Sequence, residues 1–151
     1  EMGIVTAVDP KKENFFSYQG VDLFKPNWRE VSEALQFNAV PDLIKLKEVH
    51  HSLHEKLDHQ VSLITLSERG AFYQSSDQAE WLPGLPRNVV DVSGAGDTVI
   101  AVASSAYALT KDPTCMANLA NLAGGIVCEQ VGTTPIDPMK LRSEVVRLGW
   151  I

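Results

Sequence analysis

Val89-Val90-Asp91-Val92-Ser93-Gly94-Ala95-Gly96-Asp97-Thr98 leads directly into Val99-Ile100-Ala101-Val102-Ala103-Ser104-Ser105-Ala106-Tyr107-Ala108-Leu109. A glycine-alanine-glycine turn feeding a helix of small and apolar residues places backbone amides at a helix N-terminus. There the first-turn N–H groups lack intrahelical acceptors and the helix dipole is positive. Such a site suits an anion, including a phosphoryl group in transfer. Asp97 at its mouth is a costly choice for binding phosphate. It becomes useful if it takes a proton from an attacking hydroxyl. The same residues read equally well as a glycine turn with an acidic helix start. No Gly-Lys-Ser/Thr follows, and the dinucleotide glycine pattern is missing, so neither of those phosphate loops applies.

Outward from this loop, the chain alternates short apolar runs with helical patterns. Ile4-Val5-Thr6-Ala7-Val8 reads as a strand covered on both faces and stopped by Asp9-Pro10. Asp22-Leu23-Phe24 reads as a second strand. Asn27 and Glu30 then form a capping box on a helix that starts at Trp28. A longer helix follows Pro41, with Leu46, Val49, Leu53 and Leu57 at helical spacing. Residues 61–66 form the next strand. Residues 71–74 and 79–82 flank Ser75-Ser76-Asp77 as a hairpin. Residues 98–109 predict a helix buried all round. Pro113 and Pro138 open two more, the last with a Leu141, Val145, Leu148 stripe. The expectation is an α/β layered domain, its sheet mostly parallel apart from the hairpin, with three C-terminal helices.

Composition narrows the function classes. Across 151 residues, a net charge of -6 disfavours nucleic acid, which needs a basic face. No apolar run is long enough for a membrane span, and the opening residues do not read as a signal peptide, so a cytoplasmic setting is expected. Cys115 and Cys128 are too few for a disulfide framework and read as buried reduced thiols. His50 and His54 have the i, i+4 spacing of a metal pair. The apolar stripe beside them directs that face to solvent and no third ligand is evident, so a polar helix face is expected. Trp28, Trp81 and Trp150 read as packing residues.

The stretch Asp91 to Asp97 resembles the C-terminal signature of the PfkB, or ribokinase-like, carbohydrate kinases, departing from it slightly at Val102. The resemblance implies a three-layer α/β/α fold, with Asp97 as catalytic base and the amides of Gly94, Ala95 and Gly96 as the anion hole. It implies ATP and Mg2+, with Asp91 and Ser93 beside a monovalent cation such as K+. Asn27-Trp28-Arg29-Glu30 is similar to the family's Asn-x-x-Glu motif, Glu30 acting on magnesium through water. Lys25 lies close enough to join the phosphates, against the plainer reading of a solvated surface lysine. Thr65, Ser67 and Gly70 resemble the nucleotide-binding turn, with Ser67 where the family has glycine. Asn121 and Gly124 match a helix lining the adenine pocket, and Gly132-Thr133-Thr134 closes the site.

The wording of these motifs, with Val8-Asp9-Pro10-Lys11, is most similar to bacterial heptose-7-phosphate kinases of ADP-heptose and lipopolysaccharide core synthesis. The partners implied are ATP and a phosphorylated sugar. The resemblance covers the C-terminal portion of such a domain and lacks the sugar-binding and lid half. A chain inactive alone is therefore expected, either dimeric or associated with that missing half. Another PfkB-type sugar or nucleoside kinase, a nucleotide-binding module without catalysis, and a domain in which the loop only caps a helix are the competing readings.

Overall fold

The computed structural model describes residues 3–150; the opening Glu1-Met2 lies outside them. Five strands form one sheet in the order β1-β2-β3-β4-β5, with β1 Ala7–Val8, β2 Leu23–Phe24, β3 Val61–Thr65, β4 Ala71–Gln74 and β5 Ala79–Leu82. The first three strands run parallel, while β4 is antiparallel to β3 and β5 to β4. The sheet is therefore parallel apart from the hairpin, as the sequence predicts. The hairpin reverses direction beside β3 as well as within itself.

Strand alternation sorts side chains into two cores. Leu23, Leu63, Ala71 and Tyr73 face α3 (Ala95–Thr110) and α4 (Pro113–Val127). Phe24, Ile64 and Phe72 face the other way, toward α1 (Trp28–Ala34) and α2 (Leu43–Leu57). This period of two on a sheet covered on both faces makes three layers. A third cluster joins α4 to α5 (Pro138–Arg147) through Leu122, Ile126 and Val145.

Helix boundaries follow their chemistry. The Asn27 side chain accepts from the Glu30 N–H and the Glu30 carboxylate accepts from the Asn27 N–H, both at 2.8 Å, completing the capping box. Asp42, Asp112 and Asp137 cap α2, α4 and α5, and Pro113 and Pro138 occupy first turns, where a missing N–H costs nothing.

Several expectations are corrected. The first strand is two residues long and Ile4 is exposed, because β1 is the sheet edge and has a neighbour on one side only. Helix α3 is not buried all round. Val99, Ala103, Ala106 and Tyr107 pack inward, while Ala101, Ser105, Ala108 and Leu109 are exposed. Cys115 and Cys128 are free but only half-buried.

The histidine face is the largest correction. His50 is buried, and with the fully buried His59 it converges on the Ser62 hydroxyl, at 2.9 and 2.6 Å. His54 bonds the His59 carbonyl, and His51 is left outside. The helical stripe is wide enough to include His50, and Ser62 on β3 offers it a polar partner that heptad counting cannot see. No group of three metal-ligating side chains occurs among the described residues.

Candidate active site

The C-terminal ends of the three parallel strands lie side by side, the usual position of ligand sites in open α/β sheets. Each strand end delivers polar residues there: Asp9 after β1, Lys25 and Asn27 after β2, Thr65 and Ser67 at and after β3. Asn27 pairs with Thr65 across a parallel bridge, and the Thr65 N–H donates to the Pro26 carbonyl at 3.1 Å. Two segments distant in sequence are thereby locked together.

Lys25 is not a solvated lysine. Its side chain is 3% exposed and its Nζ lies 3.2 Å from Asp9 Oδ1. A Cβ built on Gly96 would be 3.7 Å from that Nζ and 3.9 Å from Asp9 Oδ2. The ion pair therefore sits against the first turn of α3. Two positive features, an ammonium and a helix N-terminus, would repel each other without the Asp9 carboxylate beside both. Asp9, quoted within Val8-Asp9-Pro10-Lys11 but given no role there, thus joins the strand-end cluster. Its position just past a parallel strand was the available signal.

The loop before α3 is built around Asp91. One carboxylate oxygen accepts from the Ser93 N–H and the other from the Gly132 N–H, both at 2.9 Å. These bonds hold the carboxyl below its usual range, the Ser93 amide contributing most. Both the Val90 and Asp91 N–H groups donate to the Cys128 carbonyl, at 2.8 and 3.2 Å. Burial, with Asp91 nearby, pushes the Cys128 thiol up, so it stays protonated at neutral pH.

Gly94 has φ 76° and a Cβ there would lie 2.6 Å from Thr133 Cγ2, so only glycine fits this turn. The Thr98 N–H bonds the Gly94 carbonyl and the Ala95 N–H donates to the Val92 carbonyl at 3.2 Å. Among the described residues, the amides of Gly94, Gly96 and Asp97 have no acceptor. Of the expected Gly94, Ala95 and Gly96 amides, that of Ala95 is already engaged within the loop. The Asp97 carboxylate is exposed at the same end of α3.

Across the sheet edge, residues 66–70 form a tight turn closed by the Leu66 N–H on the Gly70 carbonyl at 2.8 Å. Ser67 adopts φ 55°, the left-handed conformation a glycine would take there. Gly70 has φ 92°, and a Cβ on it would lie 2.1 Å from the Leu82 carbonyl oxygen.

Asn121 donates to the Pro83 carbonyl at 3.1 Å and so ties α4 to the link after β5. Gly124 is buried, with a would-be Cβ 2.7 Å from Val99 Cγ2. It packs tightly between α3 and α4. Its neighbour Gly125 faces the Arg87 side chain instead.

No helix among the described residues is long and apolar enough to cross a membrane. The chain is 38% identical over 146 residues to the bifunctional protein HldE of Pseudomonas syringae pv. syringae, covering 96% of this chain and 30% of that protein. It is 37% identical over 135 residues to the bifunctional protein HldE of Sulfurimonas denitrificans, covering 89% and 28%. Its fold matches phosphofructokinase-2 from Escherichia coli in complex with substrates and products, with TM-score 0.83, 17% identity, and coverage of 95% of this chain and 47% of that one. Ribokinase from Thermotoga maritima matches with TM-score 0.75 and 16% identity, over 95% and 49%. The chain spans under a third of those curated relatives and about half of those crystallised chains. The sequence pattern describing pfkB family carbohydrate kinases matches residues 7–140, and the chain belongs to that family.

Proposed function

We propose that this chain is the C-terminal, nucleotide-handling portion of a sugar kinase that transfers the γ-phosphoryl group of ATP to a sugar hydroxyl. The observation that carries the reading is the meeting of three unpaired amides, Lys25 and the Asp97 carboxylate at one end of α3. Asp97 takes the proton of the acceptor hydroxyl as its oxygen bonds to phosphorus and the bond from phosphorus to the ADP oxygen breaks. The amides of Gly94, Gly96 and Asp97, with Lys25, offset the charge on the phosphoryl oxygens. Thr65, Ser67, Gly70 and Asn121 border the nucleotide.

Magnesium, when bound with ATP, would supply charge neutralisation on the triphosphate. Glu30 fits a water-mediated role toward it, because the capping box uses Oε2 and leaves Oε1 free in the half-buried first turn of α1. Asp91 and Ser93 are the residues that would hold a monovalent cation. Each Asp91 oxygen accepts one amide N–H, so the protein already orders this loop, and no step is assigned to potassium.

The acceptor we favour is heptose 7-phosphate, phosphorylated at its anomeric hydroxyl to the 1,7-bisphosphate, supported by the motif wording and by the similarity to HldE proteins. The upstream half of the kinase domain would hold that sugar, and the chain alone would be inactive. In the full-length enzyme, Asp97→Asn is expected to lower kcat by about 10²–10⁴-fold, the usual worth of a positioned base, while ATP affinity stays nearly unchanged. Unchanged turnover would remove Asp97 from the base role, and loss of ATP binding with it would favour a structural loop.

A further inference from the structure

Arg87 lies in the irregular link between β5 and the Asp91 loop, and its side chain is only 7% exposed. Its Nη1 lies 2.9 Å from Glu129 Oε1 and its Nη2 lies 2.7 Å from Glu144 Oε2. Glu129 also receives Lys140 at 2.8 Å, and Glu144 receives Arg147 at 2.9 Å, so each carboxylate has two cationic partners. The arginine runs flat over α4 where Gly125 leaves room: a Cβ there would lie 3.0 Å from both Cδ and Nε of Arg87.

The position of this bridge gives it more than a packing role. Glu129 directly follows Cys128, the residue whose carbonyl accepts both the Val90 and Asp91 amides. Three residues further on, the Gly132 N–H reaches the Asp91 carboxylate, and Thr133 fills the space over Gly94. Residues 89–94 and 128–133 thus run together as a pair. Arg87 joins their bases, at the end away from Asp97. It begins four residues before Asp91, so a shift of its guanidinium is passed along a short, hydrogen-bonded segment.

We propose that Arg87, acting through Glu129 and backed by Glu144, is a positioning residue that sets the placement of the anion-binding loop. It touches no reacting atom. A planar guanidinium spans two carboxylates at once, which a lysine ammonium on the same stem does with less directional control. Both carboxylates are held below their usual range by their cationic partners, Glu144 down to about 2, consistent with a fully charged bridge at neutral pH. The reaction assigned to the loop rests on the kinase reading; the clamp itself does not.

The test uses the full-length enzyme carrying Arg87→Gln, Arg87→Lys or Glu129→Gln, with amide hydrogen exchange and steady-state kinetics measured together. Arg87→Gln and Glu129→Gln are expected to speed exchange in residues 89–97 about tenfold and to lower kcat by about the same factor. The KM for the sugar should stay within about twofold, and Arg87→Lys should recover the loss only in part. Faster exchange confined to residues 138–147, with 89–97 unchanged, would overturn the proposal and leave only a staple between α4 and α5. Full rescue by lysine would also overturn it. If Arg87→Gln does not fold, Gly125→Ala displaces the arginine more gently and should give the same exchange pattern; protected residues 89–97 in that variant count against the clamp. A wild-type enzyme without phosphoryl transfer would sink the kinase reading, while the exchange measurement would still decide the clamp.

Discussion

Two places in this molecule bury polar groups, and they do so in opposite ways. At the open edge of the parallel strands, a buried Lys25 pairs at 3.2 Å with a half-buried Asp9 beside a helix N-terminus. Beneath α2, His50 and His59 are buried as neutral rings that share one hydroxyl, closed in by Phe24 and other apolar residues. Removing a charge from water costs far more than removing a neutral imidazole. A fold keeps a buried ion pair most readily where the charge has another use, and neutral polar contacts where none is needed. The first site should therefore respond to ligands and the second to pH.

Acid is the strongest way to separate the two. Burial, with repulsion from neighbouring histidines, pushes His59 down to about 3 and His50 down to about 4. In the unfolded chain both return to about 6.5, so below that pH the unfolded state binds more protons than the folded one. Stability is complete above pH 6.5 and falls as the pH drops toward the folded values. Between pH 7 and pH 5 each ring contributes a loss of about 2 kcal/mol, a large share of a domain's roughly 5–15 kcal/mol. Urea unfolding at the two pH values measures this, and His59→Phe should remove about half of the difference. Equal stability at both pH values would show that the rings are already charged or exposed.

A smaller effect is expected at the charged edge, and it should appear in binding. Lys25→Met is expected to weaken ATP about tenfold, or about 1.4 kcal/mol, by calorimetric titration. The melting temperature should move little, because water still reaches Asp9, which is 17% exposed. Asp9→Asn should do the reverse and cost more stability, since it strands an ammonium that is 3% exposed. Unchanged ATP affinity in Lys25→Met would make the pair a structural bridge like any other.

The sequence spoke more clearly about the open edge than about the sealed one, for a physical reason. Turns, caps and glycine positions are local: the capping box at Asn27 and Glu30, the hairpin and the Gly94 turn all follow from residues a few positions apart. What escaped notice depends on distant partners. Nothing near His50 announces Ser62, nothing near Lys25 announces that Asp9 will neutralise it, and Arg87 meets Glu129 and Glu144 only once α4 and α5 are packed. Even the placement of Gly124 depends on Val99, a residue of another helix.

The smallest expected effect probes the turn at the open edge. Ser67 holds φ 55°, where a side chain meets the following carbonyl and a glycine does not. Ser67→Gly relieves that strain, worth about 1 kcal/mol, but gives the unfolded chain more freedom, worth about as much in the other direction. Net stability should therefore change by less than about 0.5 kcal/mol in a denaturant titration. Binding is the more telling readout. If the Ser67 hydroxyl contacts phosphate, the glycine variant loses ATP affinity although its backbone is better suited to the turn. If the amide alone makes the contact, affinity holds or rises. A rise would mean that serine is tolerated at this position, and that the shape of the turn carries the recognition.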